Sequence, residues 1–244
     1  MHIRPRSRVR NKISHLLLKA RQRIENGISG DFIKSGEASF IHSFAEDHAG
    51  QEVVVFDVGA NIGSWGEVVA EEINKQGGTL TLHAFEPVAE YHGSGTFTKA
   101  AVSATPGTVS VYRRKDSDQS SLYERRLARR KQGEAEIVQI PTIRLDDYIT
   151  EHKITHIDLL KIDVEGHELS VLQSLGTYLD PAFVSMIQFE YGVTYVDSST
   201  YLLDMYELLH AYKICKVFRD HLEETPYQSN LEDFMFTNYV AIAQ

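Results

Sequence analysis

The sequence predicts a mostly parallel α/β sheet with helices on both faces, closed by an antiparallel pair of strands at the C-terminus. Three observations carry this expectation. The runs VVVF, LTLHAF, IDLLKI and FVSMIQF are continuously apolar rather than alternating, as strands buried on both faces are. Helix-spaced patterns stand between most of them, the arrangement of β-α-β units. Each run also stops at an acid, at Asp57, Glu86, Asp163 and Glu190, where such sheets open their ligand crevice.

Residues 1 to 10 lack a hydrophobic period, but from Ile13 the residues Leu16, Leu17, Ala20 and Ile24 recur at helical spacing up to Gly27. The chain has no acid before Glu25, yet carries Arg4, Arg6, Arg8, Arg10, Lys12, Lys19, Arg21 and Arg23 there. With those eight set aside, 17 Lys and Arg remain against 34 acidic residues, so the overall charge of -9 hides a body near -17. The basic helix is expected to pack on its own domain or in a homo-oligomer, with peripheral contact to an anionic membrane as the alternative and nucleic acid disfavoured. A second helix around Phe40, Ile41 and Phe44 leads to the first strand. The partition is residues 1–50 as a basic helical extension and 51–244 as a catalytic domain.

The first strand runs into FDVGANIG. Gly59 and Gly63 allow a tight turn and close approach to a ligand, and a helix opening near Ser64 points its amide end there. A dinucleotide fingerprint needs G-x-G-x-x-G, whereas this chain offers Gly59, Asn61 and Ser64 at those positions, which weakens a pyrophosphate or nicotinamide reading. A Gly-x-Asn-x-Gly turn after Asp57 suits a ligand with an amino-acid end and no phosphate, S-adenosylmethionine. One β-α-β unit on, Glu86 closes the second strand, where a carboxylate can accept hydrogen bonds from ribose hydroxyls.

Only residues 88–96 separate that strand from FTKAAVS, too few for a full helix. Pro106-Gly107 turns into TVSVYRR, a strand able to form a hairpin. Residues 114–134 are polar, with Arg125, Arg126, Arg129, Arg130 and Lys131 clustered, and read as a solvated loop or exposed helix, with a lid over the site as the alternative. EIVQIP is extended, Thr142 is placed to cap a helix bearing Leu145, Tyr148 and Ile149, and IDLLKIDVEGHE leads into a helix through Leu169, Leu172 and Leu175. After FVSMIQFEY, a helix over 199–212 and the extended runs KICKVFR and FMFTNYVAIA close the chain.

A single cysteine, Cys215, excludes an intrachain disulfide and a Cys-based zinc site. No apolar run reaches bilayer length, and LLLKA is too short and charged for a signal core. The expected location is cytoplasmic.

In order, FDVGANIGSW, AFEP, AAVS, SSL at 120–122, TIRLDDYI, LLKIDVEGHE and IQFEY resemble the FkbM-type S-adenosylmethionine-dependent methyltransferases, over about residues 53–191. The resemblance implies a seven-stranded methyltransferase sheet and O-methylation of sugar or polyketide hydroxyls. It also implies that Asp57, Gly59, Ala60, Asn61 and Gly63 line the cofactor site, with Glu86 on the ribose and Ala101 and Val102 at the adenine. Family members carry a longer helical segment between the Glu-Pro and the Ala-Val-Ser strand than this chain does.

Methyl transfer from a sulfonium is an in-line displacement, so the acceptor oxygen must be aligned and its proton removed. Asp163, Glu165, His167 and Glu190, after the ends of two neighbouring strands, are the candidate catalytic groups. Asp163, Glu190 and His167 are also a candidate Mg or Mn site. The expected acceptor is a hydroxyl on a glycan, within a glycolipid, polysaccharide or lipo-oligosaccharide. A polyketide or other small hydroxylated molecule is the alternative, and an RNA-binding methyltransferase is the reading from another class. Against the last, there is no Asn/Asp-Pro-Pro-aromatic motif and the body is acidic.

Overall fold

Strand β1 (Glu52–Val58) sits near the middle of an eight-stranded sheet in the computed structural model, which describes residues 7–26, 32–113, 120–123 and 136–244. It pairs in parallel with β2 (Thr79–Phe85) on one side, which in turn pairs with β3 (Thr96–Thr98). The short β4 (Ala101–Val102), β5 (Gly107–Arg113), β6 (Ser120–Ser121) and β7 (Glu136–Ile143) follow. On its other side β1 pairs in parallel with β8 (Ile157–Ile162), and β8 with β9 (Val184–Tyr191). The final strands, β10 (Tyr212–Val217), β11 (Leu222–Glu224) and β12 (Thr237–Ala243), are antiparallel, and β12 inserts between β9 and β10.

The sheet order is therefore β11-β10-β12-β9-β8-β1-β2-β3. Seven of these strands make the expected sheet. The eighth, β11, is a three-residue edge strand paired with β10 through Val217 and Leu222, after a turn in which Phe218 N–H donates to the His221 carbonyl. A second sheet, β4-β7-β5-β6, contains the hairpin expected after Pro106-Gly107, with β5 antiparallel to β7.

The period-two rule explains how helices cover both faces. Val55 and Leu159 face α2 (Glu37–Asp47) and α3 (Ser64–Lys75), packing with Phe40, Ile41, Phe44, Val69 and Ile73. Phe56, Leu160, Ile187 and Phe189 face the other way, onto α4 (Leu145–His152), α5 (Glu168–Gln173) and α7 (Leu202–Leu208). Although drawn above with the N-terminal extension, α2 buries Ile41 and Ala45 completely in the core beneath β1.

Several local expectations change. Thr142 lies inside β7 and its hydroxyl donates to the Thr105 carbonyl, so the cap position before α4 falls to Arg144. The helix expected over 199–212 is shortened to α7, and a separate α6 (Thr194–Ser198) precedes it, ending where Ser199 turns left-handed at φ 58°. The N-terminal helix α1 (Arg8–Ile24) forms, with Ser7 Oγ accepting the Arg10 N–H, but its apolar stripe stays exposed. Gly27 and most of the charged segment 114–134 lie outside the described residues.

Candidate active site

The turn after β1 is held by its neighbours. Gly59 and Ala60 N–H groups both donate to the Phe85 carbonyl, at 2.9 and 3.1 Å. Gly59 has φ 83°, and a Cβ there would lie 1.9 Å from the Asp163 carbonyl oxygen, so the end of β8 leaves room only for glycine. Asn61 is also left-handed, at φ 49°, and its N–H donates to Glu86 Oε2 at 3.1 Å. The other carboxylate oxygen, Glu86 Oε1, accepts from Val88 and Ala89 N–H at 2.7 and 2.9 Å. Glu86 thus joins the turn after β1 to the loop after β2. A carboxylate has about four lone-pair sites, so room remains for a ligand hydroxyl.

Below this turn lies a charge network that was not expected. Asp57 is fully buried, and Lys161 Nζ sits 3.0 Å from its Oδ1, 3.0 Å from the Gly59 carbonyl and 3.6 Å from Asp163 Oδ2. Burial alone would lower the Lys161 pKa, but the carboxylates of Asp57 and Asp163 overturn that and hold the ammonium charged well above its ordinary value. Burial raises Asp57, with Lys161 pulling the other way. In register, Asp57, Lys161 and Gln188 follow one another across β1, β8 and β9. Gln188 Nε2 donates to Glu37 Oε1 at 2.9 Å, which brings the first turn of α2 into the network. Asp57 is therefore the foundation under the Gly59 turn. A lysine inside the apolar run IDLLKI was the available signal, since buried lysines are rare unless paired.

At the ends of β8 and β9 the acids converge. Burial raises Glu190 well above the usual carboxylate range, and Asp163, Glu165 and Glu168 raise it further. Asp163 is its hydrogen-bonded neighbour, so the two carboxyl groups lie side by side. The Asp163 side chain is 40% exposed and opens this pair to solvent. Glu165 is left-handed at φ 57°, and Gly166 follows at φ 103° with its Cβ position 2.8 Å from the Thr194 carbonyl. Helix α5 begins only at Glu168, so Glu165 belongs to the turn before it and not to its first turn. Glu168, buried and not singled out from the sequence, accepts Val164 and Gly166 N–H through Oε1 at 3.1 Å each. Burial pushes its pKa up to about 8.

His167 stands apart from the carboxyl pair. Its Nδ1 lies 2.8 Å from the Tyr123 hydroxyl and its Nε2 3.1 Å from Ser103 Oγ, and burial lowers its pKa to about 4. The ring is neutral with both nitrogens engaged. The expected metal set of Asp163, Glu190 and His167 is therefore not assembled, and among the described residues no three His, Cys, Asp or Glu side chains converge to hold a metal ion. Ala101 and Val102 are buried in β4, Ala101 against Val111 and Ile140 and Val102 in the main core, so what they offer a ligand is backbone.

The family described as Methyltransferase FkbM domain matches residues 57–214, a span containing the Gly59 turn, Lys161 and the acid pair. The chain belongs to this family. A curated relative, the 31-O-demethyl-FK506 methyltransferase FkbM of Streptomyces tacrolimicus, is 28% identical over 194 residues, covering 62% of this chain and 73% of that one. Among solved structures, a methyltransferase FkbM from Methylobacillus flagellatus KT is 16% identical with a TM-score of 0.47. The match covers 79% of this chain, which spans 44% of the Methylobacillus one. The plantazolicin methyltransferase BpumL, solved in complex with SAH, is 12% identical with a TM-score of 0.43, over 98% of this chain and 91% of that one. Among the described residues, no helix is long and apolar enough to cross a membrane.

Proposed function

We propose that this methyltransferase transfers a methyl group from S-adenosylmethionine to a carbohydrate hydroxyl. The observation that carries the reading is the hydrogen-bonded carboxyl pair Asp163–Glu190, set beside the Gly59 turn at the carboxyl ends of β8 and β9. The donor set fits the cofactor. Asp57, Glu86, Asp163 and Glu165 lie around the turn with Lys161 as the cation buried among them, an excess of negative charge that favours a sulfonium and an ammonium over a phosphate.

S-adenosylmethionine, when bound, supplies an electrophilic methyl, and the remaining work falls to side chains of this chain. A carboxylate of the Asp163–Glu190 pair would take the hydroxyl proton as the acceptor oxygen bonds to the methyl carbon, whose bond to sulfur breaks with its electron pair left on sulfur. The raised proton affinity of Glu190 brings its strength as a base closer to what a weakly acidic hydroxyl requires. The exposed Asp163 passes the proton on to solvent. His167, neutral and doubly hydrogen-bonded, fixes Tyr123 and Ser103 at the border of the site.

One observation favours a second acceptor class. The Streptomyces relative is by its name a 31-O-demethyl-FK506 methyltransferase, which supports a polyketide hydroxyl. Mass spectrometry of glycans, lipids and small metabolites from cells with and without the gene separates the two. A methyl lost from a saccharide supports the carbohydrate reading, and one lost from a polyketide alone replaces it.

A further inference from the structure

Helix α1 presents a surface that nothing in the catalytic reading uses. Its 17 residues carry no acid in the first turn and Arg21 and Arg23 in the last. Val9, Ile13, Leu16, Leu17 and Ile24 are between 53% and 73% exposed. At about 100° per residue these five fall in one stripe along the helix, with Ala20 between them. Arg10 and Arg21 border the stripe on one side and Lys12, Lys19 and Arg23 on the other, while Asn11, Leu18 and Gln22 occupy the opposite face.

The helix is tethered to the body at its C-terminal end. Arg21 makes a 2.7 Å ion pair with Asp233 and donates to the Asn230 carbonyl, and the following Glu25 pairs with buried Lys216 at 2.8 Å. Asp233 lies in the segment before β12, beside Glu232, which accepts the Tyr191 hydroxyl at the end of β9. The tether thus reaches the carboxyl end of β9, which carries Glu190.

We infer that α1 docks the enzyme on an anionic phospholipid surface, its apolar stripe entering the headgroup boundary and Arg10, Lys12, Lys19 and Arg23 on the phosphates. Charge decides the occupant. Two α1 helices paired along their stripes would set Lys12, Lys19 and Arg23 of one copy against cations of the other, a like-charge contact along the seam. A bilayer surface with anionic headgroups satisfies both the stripe and its border.

The test is co-sedimentation of the full chain with phosphatidylcholine vesicles, with and without phosphatidylglycerol. Binding is expected only where the anionic lipid is present, and it should fall as salt rises. L16E/L17E should reduce vesicle binding by about tenfold or more, and K12E/K19E by about fivefold or more for each cation lost. Thermal unfolding should not change in either variant, because these side chains are exposed. Absence of binding by the unaltered protein, or binding by both variants equal to that of the unaltered protein, overturns the proposal. Loss of self-association in L16E/L17E without loss of vesicle binding also overturns it and assigns the stripe to a second copy.

Discussion

Replacing Lys161 with methionine tests the buried network under the Gly59 turn. The substitution keeps the side chain's length and removes its charge, leaving Asp57 buried with no partner for Oδ1 and the Gly59 carbonyl without its 3.0 Å donor. Breaking a buried ion pair from one side costs about 3–5 kcal/mol, and the lost hydrogen bond adds about 1 kcal/mol. In a domain of this size that lowers the melting temperature by roughly 2–4 °C per kcal/mol. Urea and thermal denaturation of K161M should therefore show a loss of about 4–6 kcal/mol. The double variant D57N/K161M should recover a large part of it, since the uncompensated charge is then gone. A loss in K161M below about 1 kcal/mol would mean that the pair is solvated and that Asp57 has another role.

Gly59→Ala should fail to fold or lose several kcal/mol, because its Cβ would meet the Asp163 carbonyl at 1.9 Å, whereas Gly77→Ala, with nothing within 4 Å, should cost only about 1 kcal/mol from its positive φ; parallel urea titrations compare the two. Glu86→Ala releases three backbone N–H groups and should weaken S-adenosylmethionine binding by about 1–3 kcal/mol in calorimetry. Glu168 holds its proton up to about pH 8 in the fold, against an ordinary value of 4.5. The native state then binds more protons than the unfolded chain across that window, so this group's contribution is complete below pH 4.5 and is lost as pH rises through about 8. Denaturation midpoints of Glu168→Gln against pH should be flatter than those of the unaltered protein over that range.

The parallel strands were legible because burial on both faces leaves only apolar residues to choose from, and VVVF and IDLLKI say so directly. The Gly59–Gly63 turn and Glu86 were legible because a glycine-acid pattern after a strand has few structural causes. What escaped were contacts between residues far apart in sequence. Lys161 was visible as an anomaly, but its partner Asp57 is 104 positions away, and Glu37 reaches Gln188 across 151. Helix 199–212 was overextended at both ends, since Ser199, at φ 58°, and Tyr212, which opens β10, lie outside α7. His167 looked like a member of the acid cluster because it is only four residues from Asp163. The turn made by Glu165 and Gly166 carries its ring instead to Ser103 and Tyr123.

The most direct measurement is transfer of isotopically labelled methyl from S-adenosylmethionine to a saccharide acceptor, followed against pH for the unaltered enzyme and for Glu190→Gln. The raised proton affinity of Glu190 predicts activity that is low while Glu190 holds its proton and rises as pH increases and that proton is lost. Glu190→Gln should lose about 100-fold or more in turnover and this pH dependence with it, while binding S-adenosylmethionine as tightly as before. A Glu190→Gln enzyme with near-normal turnover and the same pH profile would contradict the account and place the proton-accepting group elsewhere.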